Sequence, residues 1–181
     1  MPSRLIDLNP VSRITAGAIG EPGSRTFYLQ ARKGATLVTL VCEKEQVSEL
    51  CMALQALLEE LKVKYPQGAR YEPIRTNLDL EQPFTPAFRI GRLGIVYDEG
   101  RDLIGIIASE LLPADIDPDQ ASVARFFCTR AQADALSRHG LEVVAKGRPL
   151  CPLCGKPMTP DGEVEDFCPR RNGHADALVF A

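Results

Sequence analysis

The sequence predicts an α+β protein with two βββα-like halves and antiparallel sheets, followed by a small zinc ribbon. Three observations lead to this prediction. Short runs rich in β-branched and aromatic residues alternate with turn clusters, as in strands joined by hairpins. Two longer segments repeat apolar residues every three or four positions, as amphipathic helices do. Near the C-terminus, two cysteines separated by two residues stand among proline, glycine and charged residues.

The first half is predicted over residues 11–65. Its three strand-like runs are RITAGAIG (13–20), TFYLQAR (26–32) and TLVTLVC (36–42). The turns between them are short, so neighbouring strands are expected to be antiparallel. A helix is predicted from Lys44 to Lys64, because apolar residues form one stripe at helical spacing. The stripe consists of Val47, Leu50, Cys51, Leu54, Leu57, Leu58 and Leu61.

The second half is predicted over residues 88–146, after a proline-punctuated linker at 66–87. Its strand-like runs are FRIGRLGIVY (88–97), LIGIIASELL (103–112) and SVARFFC (122–128). A second helix is predicted to begin at Thr129. Thr129 and Gln132 have the spacing of a capping box, in which each side chain satisfies the exposed backbone N–H of the other residue.

The two halves suggest an internal duplication. The run CEKEQVSEL from Cys42 aligns with CTRAQADAL from Cys128, so that a cysteine, a glutamine and a leucine coincide at each strand-to-helix junction. The alternative is a single six-stranded α+β domain in which this similarity is accidental. Either interpretation places the α+β domain at residues 1–147 and a separate module at 148–181.

The C-terminal module is predicted to bind Zn²⁺. Cys151 and Cys154 supply two thiolates across a tight turn, and Cys168 offers a third. His174 would complete a closed tetrahedral site, with Asp166 as the alternative fourth ligand. A third arrangement leaves the fourth position to water, which is the condition for a catalytic zinc.

The net charge of the chain and its expected cellular compartment limit the functions that the sequence allows. The chain has 181 residues and a formal net charge of −3, so it has no overall positive field to attract nucleic acid. It has no apolar run of the roughly 20 residues that a membrane span requires, and its N-terminus lacks a signal-peptide core. A cytoplasmic location is therefore expected. Cysteines in that reducing setting hold metal more often than disulfides.

The function predicted from the residues is that of a non-catalytic binding or adaptor protein with a structural zinc site. A protein partner is expected, and no catalytic or further cofactor-binding residue is assigned. One alternative is a hydrolase-like, metal-dependent enzyme that uses an open zinc or the groove between the halves. Another is nucleic-acid binding through Arg170 and Arg171 of the ribbon, which the balance of charges in that module disfavours.

Four segments together resemble a known family: GEPGSRTFYLQ (20–30), VVAKGRP (143–149), CPLCG (151–155) and CPRRNGH (168–174). They are similar to a bacterial family of uncharacterised proteins, domain of unknown function 3090. The resemblance implies a cytoplasmic protein with a C-terminal zinc-ribbon-like element, and it brings no established activity. It also implies a histidine two residues before the third cysteine, where this chain has Asp166. That difference favours His174 as the fourth ligand here.

Overall fold

The computed structural model of this protein describes residues 4–21, 23–68, 70–146 and 153. The chain divides into two compact units: Met1–Ile19 with Thr26–Val144, and Gly20–Arg25 with Ala145–Ala181. In the described part of the second unit, the Ser24 N–H donates to the Glu21 carbonyl over 2.9 Å and closes a turn. Leu153 of the same unit is exposed. The fold described below belongs to the first unit, apart from the last residue of the second helix.

The first unit contains strands and helices in an order that confirms the α+β class. They are β1 (Leu5–Leu8), β2 (Arg13–Ile19), β3 (Thr26–Lys33), β4 (Thr36–Cys42), α1 (Lys44–Lys64), β5 (Ile90–Asp98), β6 (Leu103–Glu110), β7 (Val123–Cys128) and α2 (Arg130–Ala145). The predicted strands and helices are all present, with ends within two residues of those expected. The structure adds β1, which the sequence analysis missed.

The strands form two sheets. One is the antiparallel sheet β2-β3-β4, and the other has the order β1-β7-β6-β5. In the second sheet β1 pairs in parallel with β7, with Leu5 opposite Val123. The expectation of purely antiparallel sheets was therefore wrong at this strand. The reason is topological: β1 precedes both halves, so no short hairpin links it to its neighbour.

The strands of the two halves can be aligned residue by residue, because their cross-strand pairing is the same. The third strand of each half ends in a cysteine, Cys42 in β4 and Cys128 in β7. The residue two positions before that cysteine belongs to a row of paired residues at the centre of the inward sheet face. These rows are Ala16–Leu29–Leu40 in one sheet and Ile95–Ile106–Phe126 in the other. Counting outward from them makes Arg13 and Arg32 of the first sheet register-equivalent to Arg92 and Ser109 of the second. Positions related in this way are called register-equivalent below.

Backbone hydrogen bonds join the two sheets at two matching places. The Val41 N–H donates to the Phe88 carbonyl over 3.0 Å, and the Val11 N–H donates to the Phe127 carbonyl over 2.8 Å. In each case the end of the third strand of one half meets the chain that leads into the first strand of the other half. Backbone hydrogen bonds thus connect the two halves at two places, near Val41 and near Val11.

A glutamine at each helix start connects the halves again. Gln132 Oε1 accepts the Thr129 N–H over 2.9 Å and the Thr129 hydroxyl accepts the Gln132 N–H, which confirms the predicted capping box. The Gln132 side-chain amide also donates to the Val11 carbonyl over 3.2 Å. At the start of α1, the Gln46 amide donates to the Ile90 carbonyl over 3.2 Å. Each glutamine therefore binds backbone of the opposite half.

The core lies between the inward sheet faces and the helices. The buried residues of α1 are Val47, Leu50, Cys51, Leu54, Leu58 and Leu61. They are the predicted apolar stripe, except that Leu57 is only partly buried against the core. Each such side chain stabilises the fold by about 1.5–3 kcal/mol. The helices meet closely at Gly140, where an added Cβ would overlap the Cys51 sulfur.

One buried arginine joins three elements of the core. Arg130 lies in the first turn of α2, and its side chain is only 5% exposed. Its Nε donates to Asp102 Oδ1 over 2.7 Å and its Nη2 to the Tyr97 hydroxyl over 3.1 Å. Its Nη1 reaches the Leu61 carbonyl at 3.5 Å and the Tyr65 carbonyl at 3.2 Å. These carbonyls lie at the end of α1 and also accept the backbone N–H groups of Tyr65 and Gly68, so Arg130 gives each of them a second donor.

Candidate functional site

The predicted zinc ligands lie outside the residues that the structure describes. They are Cys151, Cys154, Cys168, His174 and the alternative Asp166. Within the described ranges, no group of three or more His, Cys, Asp or Glu side chains is placed to hold a metal ion. The zinc site therefore stays a prediction from the sequence.

The other three cysteines are structural. Cys42, Cys51 and Cys128 are buried free thiols. Burial raises the pKa of each to about 12, and the nearby Glu43 carboxylate adds to the effect at Cys42. They remain neutral thiols at physiological pH, whereas a nucleophile or a metal ligand must be a thiolate. These residues fill the core.

A segment of the connection between α1 and β5, residues 77–84, crosses the outer face of the sheet β2-β3-β4. We call it the strap. The Thr15 hydroxyl donates to the Leu78 carbonyl. Gln30 pairs with the Glu81 backbone, donating to its carbonyl and accepting its N–H, both over 2.8 Å. Thr15 and Gln30 are almost wholly buried, so the strap backbone supplies hydrogen-bond partners to buried polar groups, among them the Gln30 Oε1.

The strap is also fixed by one carboxylate between two guanidinium groups. Glu81 Oε1 lies 3.1 Å from Arg13 Nη1. Glu81 Oε2 accepts the Arg32 Nε–H over 2.8 Å. Arg13 and Arg32 stand opposite each other on neighbouring strands. Charge-assisted hydrogen bonds of this kind are about twice as strong as neutral ones, so this carboxylate anchors the strap to the sheet.

The outer face of the other sheet is open. We define this open face by Leu5, Arg92, Gly94, Val96, Ile107, Ser109, Val123 and Phe127, and no other described segment crosses it. Leu5 is 53% exposed and Val96 47%. A Cβ added at Gly94 would meet no atom within 4 Å, whereas one added at Gly17, under the strap, would lie 2.5 Å from Leu80 Cγ. Gly17 and Val96 are register-equivalent, so the two sheets differ in what covers them.

Two arginines lie on the open face, Arg92 and Arg125, and Arg125 is paired with Asp7. Arg92 is exposed, and among the described residues it has no hydrogen-bond or ion-pair partner. With Ser109, which stands opposite it on β6, it lines a pocket of about 420 Å³. The other side chains of this pocket include Glu110, Leu111, Leu112, Pro113, Ile116, Asp119 and Ala121. The pocket therefore combines an unpaired guanidinium and a hydroxyl with apolar walls and an acidic rim.

A second cavity adjoins the same arginine. It has a volume of about 360 Å³ and lies between α1 and β5. Its walls include Gln46, Glu49, Leu50 and Ala53 of the helix. β5 is the last strand of its sheet, and Arg89, just before it, bridges to Val41 of the other sheet. Arg92 thus stands between two cavities, on a strand whose outer edge pairs with no other named strand of the described residues.

A family model described as "Protein of unknown function (DUF3090)" matches residues 6–165. The chain belongs to this family. No curated protein and no solved structure matches the chain. The DUF3090 match confirms the resemblance found in the sequence. It covers the elements from β2 to α2 together with Cys151 and Cys154, and it ends just before Asp166, Cys168 and His174.

Membership of the DUF3090 family gives no activity, so the candidate site depends on the geometry. Sequence reasoning missed both Arg92 and Glu81. The only local signal for Arg92 was a charged residue inside the apolar run FRIGRLGIVY, and the acidic strap was treated as a linker. In the part of the chain that the structure describes, neither helix has the length and apolarity to cross a membrane.

Proposed function

We propose that this protein is a non-catalytic, zinc-binding protein that acts by binding a protein partner. The observation that carries the proposal is the open face, which exposes Leu5 on one edge strand and Val96 on the other, with the unpaired Arg92 on the same strand as Val96. Ile107, Val123 and Phe127 on the strands between them are partly exposed, and exposed apolar surface commonly marks an interaction site. The register-equivalent face of the other sheet is already covered by a peptide segment, the strap. The same scaffold is therefore suited to binding an extended chain.

The metal part of the proposal depends on the donor set. Three thiolates and one imidazole, from Cys151, Cys154, Cys168 and His174, form a structural zinc site with no position left for a substrate. A closed shell is consistent with a role in shaping the protein rather than in catalysis. Asp166 would act as a ligand only if His174 did not.

Zinc analysis of the purified, reduced protein tests this part. We expect one zinc per chain and an X-ray absorption spectrum of three sulfur ligands, one nitrogen ligand and no water. His174→Ala should weaken zinc binding by at least about a hundredfold, because even loss of a second-shell contact costs 10- to 100-fold. Asp166→Ala and Cys51→Ala are the controls and should retain the metal. Absence of stoichiometric zinc, or a water ligand, would contradict the proposed closed site.

We also infer that the two halves arose by duplication of one βββα unit. The shared strand register, the matched hydrogen bonds at Val41 and Val11, and the two glutamines that reach across support this inference. Accidental similarity would not require the same residue type at both helix starts to bind the opposite half.

Site-specific photocrosslinking in the native bacterial host tests the partner part. The photoreactive residue p-benzoylphenylalanine, introduced at Val96 or at Leu5 of the full chain, is expected to form a covalent adduct with a protein. The matched control is Val63 on α1, which is 84% exposed and lies outside the open face. Adducts that form equally at Val63, or at none of the three positions, would count against partner binding through this face.

A further inference from the structure

We propose that the open face binds an extended peptide segment of a partner protein, and that Arg92 and Ser109 hold one carboxylate of that segment. This inference rests on the proposed partner binding and names its chemistry. The strap shows on the same protein how a sheet of this register binds such a segment. The proposal follows from comparing each residue that binds the strap with its register-equivalent on the open face.

The comparison begins at the carboxylate. In the covered sheet, Glu81 of the strap lies between Arg13 and Arg32. The register-equivalent pair on the open face is Arg92 and Ser109. A guanidinium and a hydroxyl both donate hydrogen bonds to a carboxylate. Since Arg92 has no partner among the described residues, its donors are available to an incoming acid.

The centre of the open face selects the residues next to that acid. Thr15 and Gln30 bind the strap backbone, but their register-equivalents are Gly94 and Ile107. Gly94 has no side chain, and the side chain of Ile107 cannot form hydrogen bonds. A Cβ added at Gly94 would meet no atom within 4 Å. The central positions therefore favour apolar side chains of the ligand, and the pocket beside Arg92 adds apolar walls from Leu111, Leu112 and Ile116.

The surrounding charges limit how acidic the ligand can be. Glu110 and Asp119 line the same pocket as Arg92, so a polyanion would meet two carboxylates beside one guanidinium. On the same face, Arg125 is paired with Asp7 at 2.7 Å, and Arg101, whose guanidinium lies 5.3 Å from the centre of the Phe127 ring, is paired with Asp98 at 2.6 Å. Arg92 can therefore bind one carboxylate, while further negative charge on the ligand would be repelled by Glu110 and Asp119. A peptide with one acidic residue among apolar residues fits these charges, and a nucleic acid does not.

A fluorescence anisotropy titration with the full chain tests the inference. The probe is a labelled nine-residue peptide with the sequence of residues 76–84, because that segment covers the equivalent face, and with the change Asp79→Asn so that it carries one acidic residue. We expect saturable binding that Arg92→Gln weakens about tenfold, which is the effect of losing roughly 1.4 kcal/mol in a charged hydrogen bond. A peptide with glutamine in place of its glutamate should bind about tenfold more weakly as well.

Two controls make the result specific. Arg138→Gln on α2, away from the open face, should leave the affinity unchanged, and a peptide with both leucines replaced by serine should bind poorly. Urea unfolding checks that Arg92→Gln keeps its stability. Four outcomes would overturn the inference: no saturable binding, binding indifferent to Arg92→Gln, equal competition by a ten-nucleotide single-stranded DNA, or self-association of the chain that Val96→Glu abolishes. If photocrosslinking at Val96 captures a protein but the peptide fails to bind, the inference fails and the proposed function stands.

Discussion

Replacing Arg130 by methionine is expected to lower the free energy of unfolding by about 2–3 kcal/mol, the scale of losing a hydrogen bond to a charged group. Methionine keeps most of the buried volume but removes the donors to Asp102, Tyr97 and the two carbonyls at the end of α1. The Leu61 and Tyr65 carbonyls would keep their backbone donors, the Tyr65 and Gly68 N–H groups, so the loss comes chiefly from the hydrogen bonds to Asp102 and Tyr97. Urea unfolding followed by circular dichroism measures the effect, with an unchanged dependence on urea concentration.

The matched control for this change is Arg138→Met on the same helix. Arg138 pairs with Asp134 at 2.8 Å, four residues away, and half of its side chain is exposed. Such a surface pair contributes only about 0.3–0.5 kcal/mol, so this variant should unfold close to the parent protein. Equal losses for the two variants would show that Arg130 does not act through its buried hydrogen bonds.

A valine at Gly140 is expected to destabilise the protein by about 3 kcal/mol. A Cβ at this position would overlap the Cys51 sulfur on α1 and lie 3.5 Å from Val47 Cγ1. The two helices would have to separate, because packed interiors have little room to adjust. Thermal or urea unfolding of the single variant gives the size of the effect.

The same contact can be tested by removing the sulfur of Cys51. Cys51→Ala should recover about 1–2 kcal/mol of the Gly140→Val loss, since neighbouring side chains couple on this scale. Gly94→Val is the control in a strand, where nothing lies within 4 Å of the added Cβ, and it should leave stability nearly unchanged. Failure of Cys51→Ala to recover any stability would contradict a steric origin.

The sequence predicted those parts of the fold that local pattern decides. Helix α1 matched its prediction from Lys44 to Lys64, because its apolar stripe is continuous and Pro66 follows closely after its end. The capping box at Thr129 was confirmed for a similar reason, since a cap depends on residues three apart. Hairpin strands were also found correctly, because a short turn determines which strands are neighbours.

The parts that were missed depend on distant residues. β1 is only four residues long and pairs with β7, near the other end of the domain. The strap has no regular secondary structure, and its position is set by Arg13 and Arg32, which lie far from it in sequence. Arg92 was not recognised because its importance depends on the fact that no described segment crosses its sheet face. Whether a described segment crosses a sheet face is a tertiary property that no local pattern records.

The crossed glutamines have a consequence for how this protein folds. Gln46 requires the Ile90 carbonyl, and Gln132 requires the Val11 carbonyl. A polypeptide carrying only one half would have an amide without its acceptor and a strand end without its neighbour. We therefore expect neither half to fold alone, and under the proposed duplication a single ancestral repeat would have needed a second copy of itself to complete the same pair.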